Sequence, residues 1–306
     1  MTIKKILVVG SSNTDMVIKT RKFPAPGETI LGGRFLMNPG GKGANQAVAA
    51  RRLGGTVSFV GKIGNDIFGK QAMQLLEDEG INVDFVATDP ENPSGVALIT
   101  VDSKGENSIV VAPGSNGTLS ETDFDQAISV MEDSEIVLLQ LEIPVSTVAH
   151  IAEIASRKGK KVILNPAPAD QLPDGLLKNI YLITPNESEA ELLTGLRVTD
   201  EESAKTVAKK LKEKGIQIVI ITMGALGAYV LSDGFSGLVS APAVVATDTT
   251  AAGDTFNGAL AVALSEDKPL QQAVEFACKA ASVSVTRIGA QSSIPSRKEV
   301  ETHTNN

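Results

Sequence analysis

Cysteine and histidine are scarce in this sequence, and their scarcity excludes several kinds of chemistry. A single cysteine, Cys278, cannot support disulfide bonds within the chain, which fits a reducing compartment. The two histidines lie in a helical pattern (His150) and in a polar tail (His303), and no Cys/His cluster accompanies them. We therefore expect neither a zinc site nor a Ser-His-Asp triad. Any catalysis should use carboxylates, lysine, backbone N–H groups and metal.

Long apolar runs and an excess of positive charge are also absent. No run approaches the roughly 20 apolar residues that span a bilayer, and the start, MTIKKILVVGSSN, has too short an apolar core for a signal peptide. The formal net charge of −8 argues against broad binding to nucleic acids or anionic membranes. We expect a cytoplasmic protein that binds no nucleic acid and no membrane.

Short apolar runs alternate with helical patterns along the 306 residues, of which 42% are hydrophobic. The runs lack period-two alternation, as strands buried on both faces of a parallel sheet do. They are 5–10, 136–142, 161–165, 181–184 and 218–222. The helical patterns are 43–53, 69–79, 146–158, 187–194, 203–214, 253–264 and 270–285. We predict a single α/β domain, residues 1–306, with a doubly wound, mostly parallel sheet flanked by helices.

Two segments interrupt this rhythm. Residues 95–112 read as two alternating strands around a Ser-Lys-Gly-Glu turn, and residues 16–38 read as extended pieces around Pro24, Pro26 and Gly27. Together they predict a small antiparallel β lid. A decorative hairpin is the alternative, but both segments adjoin polar loops, which favours a flap over a cleft.

Polar motifs follow the first strands. SSNTD (11–15) places Asn13 and Asp15 beyond a strand end, where open α/β sheets bind ligands, although turn formation alone would also explain them. In NPGGKGANQA (38–47), glycines permit close backbone approach before a helix, and Lys42 and Asn45 add donors. We interpret it as a binding loop. GNDIFGKQ (64–71) resembles a P-loop, but Gln71 replaces the required Ser or Thr, so we reject it.

Later motifs add acidic and small residues. TPNESEAELLTG (184–195) sets Asn186, Glu187 and Glu189 at a helix start; capping accounts for one, and metal-bound water or phosphate suits the others. TMGALGAYV (222–230) offers room for a flat ligand at its glycines. In DTTAAGDTFNGAL (248–260), Asp254 begins a helix after small residues. Capping by Asp248, Thr249 or Thr250 is the simple interpretation, yet the gap before Asp254 suits an anion.

These segments resemble, in sequence and order, the family of ATP-dependent carbohydrate kinases that includes ribokinase, fructokinase and adenosine kinase. GGKGANQA and DTTAAGDTFNGAL resemble the two signatures of that family, and the likeness runs from SSNTD to VTRIGAQSSIP near the end of the chain. The resemblance implies phosphoryl transfer from MgATP to a sugar, and NTD with GGKGAN points to D-ribose and its 5-hydroxyl. Another sugar or nucleoside kinase, or a non-catalytic sugar-binding regulator, remains the alternative.

The resemblance also implies roles for individual residues. Asp254 would take the proton of the attacking hydroxyl, and N–H groups of Ala251, Ala252 and Gly253 would form an anion hole. The sugar would be held by Asn13, Thr14, Asp15, Gly41, Lys42, Gly43, Ala44, Asn45, Glu142 and Asp254. ATP would contact Asn186, Thr222, Met223, Gly224, Ala225, Leu226, Gly227, Gly253, Asp254 and Cys278. Cys278 replaces a polar residue common in relatives, so packing on the base is expected there.

Metal ions and a second chain complete these expectations. Glu189 would act on Mg²⁺ through water. A K⁺ ion would activate the enzyme without touching the substrate. Many of the residues around the ion would contribute backbone carbonyls, and the six residues are Asp248, Thr250, Ser284, Arg287, Gly289 and Ser293. The lids, 16–38 and 95–112, would close over the sugar and join two chains in a homodimer, because their apolar alternation leaves a sheet face to cover.

Overall fold

The chain forms one large sheet, a smaller lid sheet and helices around the large sheet. Residues 4–303, which the computed structural model describes, contain fourteen strands and eleven helices. The strands are β1 (Lys5–Val9), β2 (Asn13–Lys19), β3 (Arg34–Gly40), β4 (Thr56–Val60), β5 (Lys62–Gly64), β6 (Ala87–Asp89), β7 (Gly95–Val101), β8 (Asn107–Ala112), β9 (Ser134–Leu139), β10 (Lys161–Leu164), β11 (Leu182–Ile183), β12 (Ile218–Thr222), β13 (Ala228–Leu231) and β14 (Ser236–Val239).

The helices are α1 (Lys42–Arg52), α2 (Ile67–Asp78), α3 (Glu121–Asp125), α4 (Ile128–Glu132), α5 (Val145–Arg157), α6 (Asp174–Leu177), α7 (Glu187–Thr194), α8 (Glu201–Lys212), α9 (Ala252–Ser265), α10 (Leu270–Ser284) and α11 (Arg297–Thr302). Single 3-10 turns occur at Gly114–Thr118, Gly224–Leu226 and Gln291–Ser293. In the part of the chain that is described, no helix has the length and apolarity to cross a membrane.

The large sheet has the order β14-β13-β12-β11-β10-β9-β1-β4, parallel from β12 to β4 with an antiparallel hairpin, β13–β14, at one edge. Both faces are covered. Ile6 and Val8 of β1 pack in the core with α1, α9 and α10, whereas Leu7 and Val9 pack in the core with α5 and α8. Since neighbouring residues of a strand point to opposite faces, an unbroken apolar run is what such a strand requires. The predicted fold class is confirmed.

The lid sheet has the order β3-β2-β7-β8. Two of its three strand pairs are antiparallel, and the central β2–β7 pair is parallel because the chain crosses through α1, β4 and α2 between them. Strand β2 begins at Asn13, so the SSNTD motif enters the lid sheet and is not a free turn. The strands occupy both ends of the predicted 16–38 segment, and residues 20–33 contain none.

The predicted helices agree with the observed ones to within two residues at each end. The predicted strand at 136–142 instead spans Ser134–Leu139, because Gln140 leaves the ladder for the interior polar cluster described below. Strand β4 and the β13–β14 hairpin were not predicted. The hairpin starts inside the glycine-rich segment 222–230, whose composition indicated a loop.

Candidate active site

Polar side chains at the carboxyl ends of the parallel strands meet the amino ends of α1, α7 and α9 at one edge of the large sheet. They lie just after β1, β9, β10 and β11 and at the last position of β12, and these residues are Ser11, Gln140, Asn165, Thr184 and Thr222. A cavity of about 210 Å³ opens there, and Lys42, Asn186, Glu189, Gly253 and Asp254 are among its lining residues. This is the edge at which open α/β sheets bind ligands.

The amino end of α9 is open. Its N-cap residue is Ala251, in the left-handed region at φ 59°, and no side chain caps the helix. The capping interpretation of Asp248, Thr249 or Thr250 is therefore wrong, since the Asp248 carboxylate instead accepts from Thr250 and Gly289. A Cβ on Gly253 would have no heavy atom within 4 Å. The first turn thus turns its amino end and partial positive charge to the cavity, although the Ala252 N–H donates to the Thr249 carbonyl at 3.2 Å.

Asp254 lies in this first turn and is 5% exposed. Asn45 Nδ2 donates to its Oδ2 at 2.9 Å, and Gln46 Nε2 donates to its Oδ1 at 3.0 Å. Burial raises the pKa of Asp254, while Lys42 and the two amides favour its charged form. A buried carboxylate with both oxygens held by amides, at an open helix end, has the arrangement of a general base beside an anion site.

Lys42 is the cation among four acidic groups. Burial lowers the pKa of Lys42, but the charges of Asp254, Glu142, Glu189 and Asp15 outweigh it, so the pKa is raised overall. The ammonium therefore stays charged beside the base. In this position it can neutralise an anionic ligand that enters the cavity.

Three residues predicted to hold the sugar lie around the start of α1. Glu142 Oε2 accepts from the Lys42 backbone N–H at 2.9 Å and from the Ser11 hydroxyl, which ties α1 to the end of β1. Asn13 Oδ1 accepts from Asn116 Nδ2 at 2.8 Å, which leaves its amide N–H₂ for a ligand. The Asp15 carboxylate sits against Gly40 and has no hydrogen-bond partner among residues 4–303.

Asp15 yields a pH prediction. Burial, with Glu142 and Asp254, raises its pKa to about 6. Because the folded protein binds this proton more tightly than the unfolded chain does, ionised Asp15 destabilises the folded state. This destabilisation is absent below the ordinary pKa of aspartate and complete above about pH 6. We expect Asp15→Asn to raise the free energy of unfolding by about 1–3 kcal/mol at pH 8 and by much less at pH 4.5.

Urea unfolding of the ligand-free protein at both pH values measures this difference. Asp102→Asn, at a lid position whose carboxylate accepts only local backbone N–H groups, is the matched control. A variant that is no more stable than the wild type at pH 8 would remove Asp15 from the repulsive cluster.

Four other residues were predicted to hold the sugar, and these are Gly41, Gly43, Ala44 and Thr14. Gly43 packs against Gly10 and Ser11, and Ala44 is 1% exposed with its N–H donating to Ser11, so both serve the contact of α1 with β1. Gly41 has φ 88° and lies against the backbone of Ser12 and Asn13. Thr14 lies on the opposite face of β2 from Asn13 and Asp15, and lines a separate groove beside α2.

The start of α7 brings Asn186 and Glu189 to the cavity. They form a capping box: Asn186 Oδ1 accepts from the Glu189 N–H at 2.8 Å, and both Glu189 oxygens accept from Asn186 at 2.9 Å. Burial raises the pKa of Glu189. Each carboxylate oxygen keeps a second lone pair, so the donor set fits a water ligand of Mg²⁺.

The segment predicted to meet ATP follows β12. Thr222 forms a bridge with Asn186, and Met223 is buried with its N–H on the Gly227 carbonyl. Gly224 faces open space at φ 52°, whereas Gly227 does not, because a Cβ there would lie 2.7 Å from Ala241 N. Ala225 and Leu226 are exposed. Gly224 alone of the two glycines leaves room for a flat ligand.

Cys278, predicted to pack on the nucleotide base, is buried between α10 and β14. It is 4% exposed, its Sγ lies 3.9 Å from the Val239 carbonyl oxygen, and burial raises its pKa to about 12. The thiol is therefore part of the core between α10 and β14, and it does not line the cavity at Gly253. The predicted contact of Cys278 with the nucleotide base would need a nucleotide that reaches this face of the core.

The two segments predicted to surround K⁺ are adjacent. Asp248 joins them, since its Oδ1 accepts from the Thr250 N–H and its Oδ2 from the Gly289 N–H, both at 2.9 Å. Arg287 directs its guanidinium to Glu299, at 2.6 Å. Among the described residues, no donor reaches the carbonyl oxygens of Arg287 and Gly289. Unpaired carbonyls beside a carboxylate fit a hard monovalent cation. The Ser284 and Ser293 hydroxyls are occupied by carbonyls of their own turns.

Five polar residues of the site were missed by the sequence analysis. Buried side chains near Asp254 form a hydrogen-bonded network with it, and these are Gln46, Gln140, Asn165, Thr184 and Asn257. A signal was present, because Asn165 and Thr184 end the apolar runs 161–165 and 181–184, and Gln140 is an uncharged polar residue within the run 136–142. Residues that terminate parallel strands converge on one edge of the sheet.

Comparisons with known proteins agree with this geometry. The sequence profile described as pfkB family carbohydrate kinase matches residues 3–297. A ribokinase of Haemophilus influenzae is 48% identical, over 97% of each chain. A deoxyribokinase of Salmonella typhi is 38% identical, over 95% of each chain. The solved structure of Arabidopsis thaliana ribokinase with ribose and ATP superposes with a TM-score of 0.93 at 35% identity, over 98% of each chain.

The family profile spans almost the whole chain, and the relatives match along their full length. The similarity is therefore one of the whole fold and is not confined to a short motif. The predicted resemblance is confirmed. The protein belongs to the pfkB family of carbohydrate kinases.

Proposed function

We propose that this enzyme transfers the γ-phosphoryl group of MgATP to the 5-hydroxyl of D-ribose, which gives D-ribose 5-phosphate and ADP. The observation that carries the proposal is Asp254, a buried carboxylate held by two amides at the uncapped start of α9. The full-length relatives described as ribokinases support ribose as the acceptor.

The chain's own residues account for the steps of such a transfer. Asp15, Asn13 and the orphaned Asn45 Oδ1 offer acceptors and donors to sugar hydroxyls. Asp254 accepts the proton of the attacking hydroxyl, and the start of α9, with Lys42, faces the developing charge. The Ala252 N–H donates to the Thr249 carbonyl and must leave it to join the anion hole. Phosphoryl transfer needs this positioning and charge neutralisation more than covalent chemistry. The lid excludes water that would otherwise accept the phosphoryl group.

Mg²⁺ would be held through water by Glu189, which lies beside Asn186. The free lone pairs of the Glu189 carboxylate and its burial fit that role. When bound, the ion neutralises phosphate charge. We also propose that the protein works in the cytoplasm, where MgATP is supplied and the single thiol stays reduced.

A coupled assay of ADP release with ribose, 2-deoxyribose, fructose and adenosine tests the proposal. We expect the highest kcat/KM with ribose. Faster turnover of 2-deoxyribose would place the chain with its deoxyribokinase relatives. ADP release with none of the four would favour the alternative of a non-catalytic sugar-binding regulator.

We expect K⁺ to activate the enzyme severalfold over Na⁺ or no monovalent ion. The ion would hold the turn from Asp248 to Asp254, so that its N–H groups point at the developing charge, an effect on kcat rather than on ribose binding. Activity in Tris buffer with each ion measures it. Asp248→Ala should abolish the difference, and equal rates in all three buffers would refute the cation site.

We expect a homodimer joined through the lids. Cross-strand register places five exposed apolar side chains on the lid face away from Asp15: Ile18, Phe35, Met37, Leu98 and Val110. Covering such a patch is what a stable dimer does. Light scattering at assay concentration should give twice the chain mass, and Phe35→Asp should give monomers. Leu192→Asp, at an equally apolar exposed site on α7, is the control. A fully active wild-type monomer would contradict this assembly.

A further inference from the structure

Gln46 is fully buried beside the proposed base. Its Nε2 donates to Asp254 Oδ1 and to Asn165 Oδ1, both at 3.0 Å, and its side chain is 0% exposed. A group this enclosed has no path to the sugar or the nucleotide. Whatever it contributes to the reaction must pass through Asp254.

Gln140 reinforces the orientation of the Gln46 amide that the Asp254 and Asn165 oxygens require, while its own Oε1 has no hydrogen-bond partner among the described residues. Its Nε2 donates to Gln46 Oε1 at 2.6 Å, and it too is 0% exposed. A flipped Gln46 amide would set its oxygen against two other acceptor oxygens and its N–H₂ against the Gln140 N–H₂. Gly10 leaves the space for Gln140, because a Cβ there would overlap Gln140 Oε1.

The two amides on Asp254 therefore have different tasks. Asn45 holds Oδ2 and keeps a buried, unpaired Oδ1, which suits a ligand hydroxyl. Each hydrogen bond of the Gln46 side chain is made to another side chain of the protein. We propose that Gln46, oriented by Gln140, is a positioning residue that holds Asp254 Oδ1 and keeps the carboxylate ready to accept a proton; this rests on the proposed function of Asp254.

Charged groups face Asp254 from every neighbouring element: Lys42 from α1, Asp15 from β2, Glu142 beyond β9 and Glu189 from α7. Only Lys42 favours the carboxylate. When the Gln46 N–H is removed, the charged form of Asp254 loses a hydrogen bond, while burial and the three other carboxylates still disfavour that form. The pKa of Asp254 therefore rises. A general base works when it is deprotonated, and the acid limb of the rate must then move to higher pH.

The test is the pH dependence of single-turnover phosphoryl transfer in Gln46→Met, which keeps side-chain length and removes the amide. We expect the acid limb to move up by about one pH unit, so that the rate falls about tenfold at acid pH and recovers at alkaline pH. KM for the sugar should change less than about twofold, because Gln46 does not reach it. Gln140→Met should move the limb in the same direction by less.

Thr147→Val is the control, since it also removes a buried polar group, on α5, and lies outside the site. It should lower stability without moving the profile. An unshifted profile in Gln46→Met, or a rise in KM at unchanged kcat, would overturn the proposal. If Gln46→Met does not fold, Gln140→Met decides in the same way. The wild type is first assayed with the sugar panel, so failure of ribose phosphorylation is seen separately.

Discussion

Replacing Asp254 by asparagine is expected to lower kcat by about 10²- to 10⁴-fold, the usual range for loss of a general base. Asparagine has the same size but cannot accept the hydroxyl proton. Its N–H₂ would also face an amide N–H of Asn45 or Gln46, each of which now donates to a carboxylate oxygen. Two effects, lost basicity and a mismatched amide, act in the same direction.

Steady-state ADP release gives kcat, and calorimetric titration gives ribose affinity, which we expect to be largely retained. Asp233→Asn is the control, because that side chain lies at the surface in an ion pair with Lys212. A kcat near that of the wild type in Asp254→Asn would remove Asp254 from the role of base. Loss of ribose binding with unchanged kcat would make it a sugar ligand only.

Adding a single methyl group at Gly258 is expected to destabilise the whole protein by about 2–3 kcal/mol. A Cβ on Gly258 would lie 2.5 Å from the Ala49 Cβ and 2.8 Å from the Ala50 backbone nitrogen. Neither atom belongs to a flexible side-chain end, so α1 and α9 must separate. Asn45 and Gln46 lie on α1 and Asp254 on α9, so the separation also stretches the two hydrogen bonds to the base and lowers kcat.

Chemical unfolding of Gly258→Ala, followed by circular dichroism, measures the loss. Gly175→Ala in α6 is the matched control: it is also a helical glycine, but a Cβ there has no heavy atom within 4 Å. That variant should be neutral or slightly more stable, since alanine favours helix. Equal stability of the two variants would mean that α1 and α9 adjust to the added methyl without cost.

The fold was predictable because its strands are buried on both faces and its helices alternate with them. The runs 161–165 and 218–222 have no polar residue between their first and last positions, so their places in a covered parallel sheet follow from composition alone. The antiparallel strand β13 escaped prediction because Gly224 and Gly227 form the tight turn that joins it to β12, and turn glycines cannot be told from ligand-facing glycines in sequence.

In the site, the charged residues and the amides Asn13 and Asn45 were predicted from motifs, whereas Gln46, Gln140 and Asn165 were missed. Lys42 and Asp254 lie in distinctive motifs. Gln140 lies inside the apolar run 136–142 and Asn165 ends the run 161–165, and their hydrogen bonds depend on which strands become neighbours in the sheet. Sheet order places β9 between β1 and β10, although β1 and β9 are far apart along the chain. That order is a property of the tertiary structure.

The α1–α9 contact also has a consequence for protein synthesis. The hydrogen bond from Asn45 to Asp254 joins residues 209 positions apart, so a ribosome has already made most of the chain before the base can be set. At about 5–20 residues per second, the alanine-rich face of α1 waits on the order of 10 s or more without its partner. A chain that stops before α9 keeps the proposed sugar loop, lacks the proposed base and exposes a helix-packing surface. We expect such a fragment to be inactive and, because it exposes apolar surface, to be bound by chaperones and proteases.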